Sequence, residues 1–145
     1  MIASIVEEIK TQLKSFSGPS RIFAQAIKFG GSSRIKFDDA DYGAHDPDGQ
    51  FQHPNAQYPG VVIELSYSQK ERDLPHLADD YILGSDSNIQ FVAGLDIQYP
   101  GRKGMMATWS IWEPEVIKDE ENVLVAKQTI KNHVCTFSLI HRYVL

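Results

Sequence analysis

The chain of 145 residues holds a single cysteine, Cys135, so no disulfide can form within it. Cysteine this sparse points to a reducing, intracellular compartment, cytoplasm or nucleus. A long apolar run is also missing, and Met1 to Lys14 mixes Glu and Lys with apolar residues rather than forming a signal peptide. No membrane partner is expected. Positive charge is in deficit: 14 Lys and Arg stand against 19 Asp and Glu, a net charge of −5. Such a chain is not built as a whole to cling to phosphate backbones. A nucleic-acid partner would need a local basic surface, a metal or a fused domain. With 42% apolar and 23% charged residues, the composition is that of one globular domain with one core.

What is present is periodicity. Ile2, Ile5, Val6, Ile9 and Leu13 recur at helical spacing, which predicts an amphipathic helix over 2–16 that ends near Ser17-Gly18-Pro19. Two apolar pieces, 22–27 and 34–37, flank the turn-like Gly30-Gly31-Ser32-Ser33 and predict a hairpin. The polar stretch from Asp38 to Tyr58 reads as a long segment without structure of its own, a type that is often functional or disordered. Val61 to Ser66 predicts a strand. Asp73 as N-cap, Pro75 in the first turn and Gly84 at the stop delimit a second helix.

Ile89 to Ile97 alternates as a strand, and Pro100 to Gly104 turns the chain into a returning strand at Ala107 to Trp112. A helix between the Val61 and Ile89 strands makes those two parallel, in a right-handed βαβ unit. The predicted order is αβββαββ, an α/β domain with a mixed central sheet flanked by helices. One domain is expected over 1–145, its core at about 2–114. Beyond Pro114, Lys118 to Glu121 reads as a solvated loop and Val123 to Ala126 as an edge strand, while 131–145 takes no assignment. Trp109 and Trp112 are expected on one side of a hairpin, making core contacts or the contacts of a homodimer.

Chemistry concentrates in two places: Asp46-Pro47-Asp48-Gly49, and Glu64 within Val61-Val62-Ile63-Glu64-Leu65-Ser66. Alternation puts Val61, Ile63, Leu65 and Tyr67 on a core face, and Val62, Glu64, Ser66 and Ser68 on a face that carries acceptors. An ionised Glu buried without a partner costs several kcal/mol or takes up a proton, so a cation, a donor or a metal is expected beside it. A second carboxylate from Asp48 would complete a pair of hard oxygen donors suited to Mg²⁺ or Mn²⁺. The same residues also fit a plain turn at DPDG and a surface position for Glu64 at the open end of a sheet.

The ordered string resembles the PD-(D/E)XK nuclease superfamily, with the restriction-endonuclease-like core αβββαβ. Its nearest likeness is to the putative restriction-endonuclease branch and related fungal domains. Pro47-Asp48 is similar to the family's Pro-Asp, and Glu64-Leu65-Ser66 to its Glu-x-Lys. Asp79-Asp80-Tyr81 and Gly94-Leu95-Asp96 match the later helix and strand, so the likeness runs from about Arg34 to Pro114. It implies a metal-dependent endonuclease that hydrolyses phosphodiester bonds in DNA, with Asp48 and Glu64 as ligands of Mg²⁺ or Mn²⁺. Ser66 departs from the pattern by standing where the family has lysine, so Lys70 or Lys36 would have to supply that charge. A member whose site has eroded at Ser66 would instead be an interaction module for nucleic acid or protein.

Other residues divide between roles. Glu7 or Glu8 could join such a site from the first helix, although both suit a solvated face. His45 and His53 flank Asp48 as candidate substrate or metal contacts, or as local hydrogen-bonders. Arg34, Lys36, Lys70 and Arg72 are candidates for a basic lip. Asp96 reads as structural.

Overall fold

A strand covered by helices on both sides must be apolar on both faces. The run Val61-Val62-Ile63 meets that demand, and it lies at the centre of the fold. The computed structural model describes residues 2–67, 73–98 and 106–134. In chain order the helices are α1 (Ile2–Ser15), α2 (Arg21–Ala26) and α3 (Leu74–Gly84). The strands are β1 (Lys28–Phe29), β2 (Ile35–Lys36), β3 (Ala44–His45), β4 (Gly49–Gln52), β5 (Val61–Tyr67), β6 (Phe91–Gln98), β7 (Met106–Lys118) and β8 (Asn122–Val134). Six of them form a mixed sheet in the order β1-β4-β5-β6-β7-β8, and β2 pairs with β3 in a small sheet of its own.

β5 and β6 run parallel, from Val61 opposite Phe91 to Tyr67 opposite Ile97, and every other pairing in the large sheet is antiparallel. The crossover between the parallel pair contains α3. Its start follows the expected chemistry, because the Asp73 carboxylate accepts the His76 N–H at 3.1 Å and Pro75 fills the first turn. Helices take both faces of the sheet. Val6 of α1 packs with Phe51 and Ile63 on one face, while Ala78, Tyr81 and Ile82 of α3 pack with Val62, Val92 and Trp112 on the other. Among the described residues no helix is long and apolar enough to cross a membrane.

Four expectations fail here. Residues 22–26 are helical rather than a strand. Pro19 opens a short 3-10 turn ahead of them, and only Ala24 is buried, while Ile22 and Phe23 are 83% and 59% exposed. A single buried position per turn suits a short surface helix, not an inner strand. The Gly30-Gly31 turn does not close a hairpin either: β1 pairs with β4 and β2 with β3. The buried Gln50 of β4 takes over that turn, donating from Nε2 to the Ser33 carbonyl at 2.6 Å. The supposedly unstructured 38–58 segment therefore holds β3 and β4.

The tryptophans are the fourth correction. Three residues apart on β7, they point to opposite faces, Trp109 against Leu95 and Ile97, Trp112 into the α3 cluster. Beyond Pro114 the chain stays in the sheet, since β7 runs to Lys118 and β8 forms an edge strand from Asn122 to Val134.

Candidate functional site

Glu64 is a core residue, 1% exposed, on the face of β5 that meets α3. The open sheet end that would have exposed it is closed by the helix. A carboxyl group there is costly unless a donor faces it. Tyr81, fully buried on α3, provides one: its hydroxyl donates to Glu64 Oε1 at 2.5 Å. The helix turn that buries Ala78 and Ile82 also aims Tyr81 at the strand.

Asp48 reaches the same place from the next strand. Gly49 stands opposite Ile63 in the β4–β5 ladder, so one step outward Asp48 occupies the register position of Glu64. DPDG is thus no free-standing turn; it is the entry to β4. Pro47 is buried, and Gly49 lets Ile2 and Phe29 approach to 3.2 Å of where a Cβ would lie. Asp48 Oδ2 accepts the Leu65 N–H at 2.7 Å where the ladder ends, which fixes the half-buried carboxylate beside the Glu64 strand segment. Asp46 is held apart by a two-pronged bond to Arg34 at 2.8 and 2.9 Å. That Arg34 contact holds the Asp46 carboxyl below its ordinary range, and it gives the exposed Arg34 a carboxylate partner.

Ser66, 5% exposed, lies two residues further along β5 and borders a cleft of about 380 Å³ at the carboxyl ends of β5 and β6. Asp96, Gln98, Ser110, Lys131 and Asn132 also border it, and α3 presents its first turn, Leu74 and Pro75. Asp96 is the register partner of Ser66, and its Oδ2 accepts from Gln98 Nε2 at 3.0 Å. Gly94 permits the narrow floor, since a Cβ there would come within 2.9 Å of Leu74 and 3.1 Å of Trp112.

The remaining candidates scatter. Lys70 and Arg72 lie outside the described residues. Lys36 borders a separate hollow with Arg34, Gln50 and Tyr58, not the Ser66 cleft. Glu7 and Glu8 are exposed on α1 and bonded to Lys10 and Gln12, the solvated-face role. The Lys10 contact lowers the Glu7 carboxyl below its usual range. His45 bonds across to α3 rather than locally: its ring nitrogen meets Asp80 Oδ2 at 2.8 Å and the ring lies edge-on to Tyr81. His53 turns to the other end of the sheet and stacks on Phe23 at 4.7 Å.

Three participants escape a linear reading. Tyr81 looks like one more apolar position of an amphipathic helix. Lys131 and Asn132 sit in a stretch with no clear pattern. Asp96 carried a usable signal, a carboxylate inside the apolar run Phe91 to Ile97, the same feature that marks Glu64.

Two carboxyl groups at matched positions on neighbouring strands offer hard oxygen donors, the chemistry that Mg²⁺ and Mn²⁺ take while keeping several waters. By donor chemistry the two residues would suit such an ion. Among the described residues, no group of three or more His, Cys, Asp and Glu side chains is spaced to hold one, so the candidate is a two-carboxylate site. Comparison with protein-family models, with curated proteins and with solved structures found no match to this chain.

Proposed function

We propose that this chain is a metal-dependent endonuclease-like domain that hydrolyses phosphodiester bonds in DNA, a divergent member of the PD-(D/E)XK superfamily. The observation that carries the reading is the Asp48–Glu64 pair, a Pro-Asp at the mouth of one strand set opposite a buried Glu on the next. The order of elements supports it. Leaving aside α2 and the small sheet, the chain runs α1, β1, β4, β5, α3, β6, which is αβββαβ.

Asp48 and Glu64 would hold Mg²⁺ or Mn²⁺, which when bound polarises a phosphoryl oxygen and acidifies a water. The chain's own parts prepare that chemistry. Tyr81 orients the Glu64 carboxyl group, and the Leu65 N–H orients Asp48. Ser66 offers a hydroxyl to a water or a phosphate oxygen at the edge of the polar cleft. Charge for the transition state would come from Lys70. Ser66 in place of lysine favours a second reading, an eroded site that binds nucleic acid or protein without cutting.

Calorimetric titration of Mg²⁺ and Mn²⁺, paired with cleavage of supercoiled DNA, separates the two. Asp48→Asn and Glu64→Gln are expected to weaken metal binding by at least about tenfold and to abolish cleavage, with the thermal midpoint of Asp48→Asn near that of the parent. Metal binding without cleavage selects the binding module. Absence of metal binding by the parent, with DNA present, removes the nuclease reading.

A further inference from the structure

Lys131 enters the cleft through an irregularity of β8. In a regular strand Gln128, Ile130 and Asn132 would share one face and Lys131 would point to the other. The β7–β8 pairing slips twice, with Trp109 opposite His133, Ile111 opposite Ile130 and Trp112 opposite Gln128. Lys131 and Asn132 therefore stand together against the single residue Ser110, and both border the cleft. Bulges of this kind re-aim side chains and are enriched beside active sites.

Specific bonds hold the bulge. Ser110 is 5% exposed; its hydroxyl accepts the Asn132 N–H at 3.0 Å and donates to Asn132 Oδ1 at 3.2 Å. Asn132 adopts a φ of 46°, a left-handed conformation that asparagine accepts more readily than most side-chain-bearing residues. The outcome is an exposed lysine on the wall of a polar cleft. Among the described residues Lys131 makes no ion pair, whereas Lys10, Arg34 and Lys127 are tied to Glu7, Asp46 and Glu115.

Distance assigns the role. Three strand spacings separate β5 from β8, roughly 14 Å at about 4.8 Å each, so Lys131 is too remote to act on a water at the Asp48–Glu64 pair. It is in reach of the next part of a strand held there. Asp96 on the cleft floor repels a second anion, which leaves the β8 wall as the phosphate side.

We infer that Lys131, presented by the β8 bulge beside Ser110 and Asn132, is a substrate-contact residue that holds a backbone phosphate of a DNA strand lying in this cleft. The inference rests on the nuclease reading for its choice of polymer. Its test does not depend on cleavage. Anisotropy of a labelled DNA duplex is measured with Ca²⁺ in place of Mg²⁺, over a series of salt concentrations, for the full chain and for Lys131→Ala, Lys131→Arg and Lys118→Ala.

Lys131→Ala is expected to bind about tenfold more weakly at low salt, with a salt slope smaller by about one. Lys131→Arg should bind like the parent, as should Lys118→Ala at the far tip of the β7–β8 hairpin. Equal binding by Lys131→Ala and the parent overturns the inference, and so does an equal loss in Lys118→Ala or a parent that does not bind DNA. Lys131-dependent binding, in a protein whose Asp48→Asn and Glu64→Gln forms keep full cleavage, upholds the phosphate contact and removes the carboxylate site.

Discussion

The two ends of the parallel pair β5 and β6 differ in chemistry although one sheet joins them. At the carboxyl end lie Ser66, Asp96 and Gln98, with the Asp48–Glu64 pair a step behind, and hydroxyls, amides and a lysine ring the cleft. At the amino end a larger hollow of about 720 Å³ is lined by Leu13, Phe23, Phe51, His53, Val61 and Phe91. Size favours the second, but polar convergence favours the first. Open α/β sheets bind ligands beyond the carboxyl ends of their strands, where helix starts and loops bring polar groups together. The amino end is the seam along which α1 and α2 meet the sheet.

The sharpest test of this contrast is Glu64→Ala. It removes the partner of the Tyr81 hydroxyl and opens space in the core, and is expected to cost about 3 kcal/mol of stability by denaturant titration. Loss of metal binding in Glu64→Ala is uninterpretable without that measurement, which is why Glu64→Gln is the variant for function. At the opposite end Phe23→Ala gives up an exposed ring stacked on His53, and about 0.5 kcal/mol is expected. Metal and DNA affinity should not move. A Phe23→Ala protein that loses either would break the distinction between the ends.

The smallest effect is expected at Asp79, which lies on α3 between the two regions. Desolvation raises its carboxyl above the ordinary range, with Asp80 and Asp73 adding to the shift and His76 opposing it. The folded state thus holds the proton more tightly than the unfolded one, and ionised Asp79 opposes folding at neutral pH. Asp79→Asn should raise the thermal midpoint slightly at pH 7, and the gain should vanish as pH falls below the unfolded carboxylate range. A gain that persists in acid would remove the electrostatic explanation.

The crossover from Val61 to Gln98 was legible because its signals are local. Alternating apolar residues, an Asp-x-Pro helix start and a Gly at the stop each act within a few residues. Glu64 was legible for the same reason, as one carboxyl inside a strand pattern. The 21–58 region misled because its partners are remote: β1 pairs with β4, across the intervening small strands, and Gln50 ties down the glycine turn. Equal spacing on the page cannot show which of two edges wins a short strand.

By itself, then, the sequence determined a mixed α/β sheet with a parallel βαβ centre and singled out two carboxylates as candidates, since periodicity and capping are written residue by residue. Tertiary structure decided the rest. Only the β4–β5 register sets Asp48 against Glu64, only the packing of α3 brings the Tyr81 hydroxyl to a buried carboxyl group, and only two slips in the β7–β8 ladder turn Lys131 into the cleft. Each of these depends on pairing between segments distant in the chain. Pairing of that kind is settled by which faces exclude water together, and no single segment carries that information.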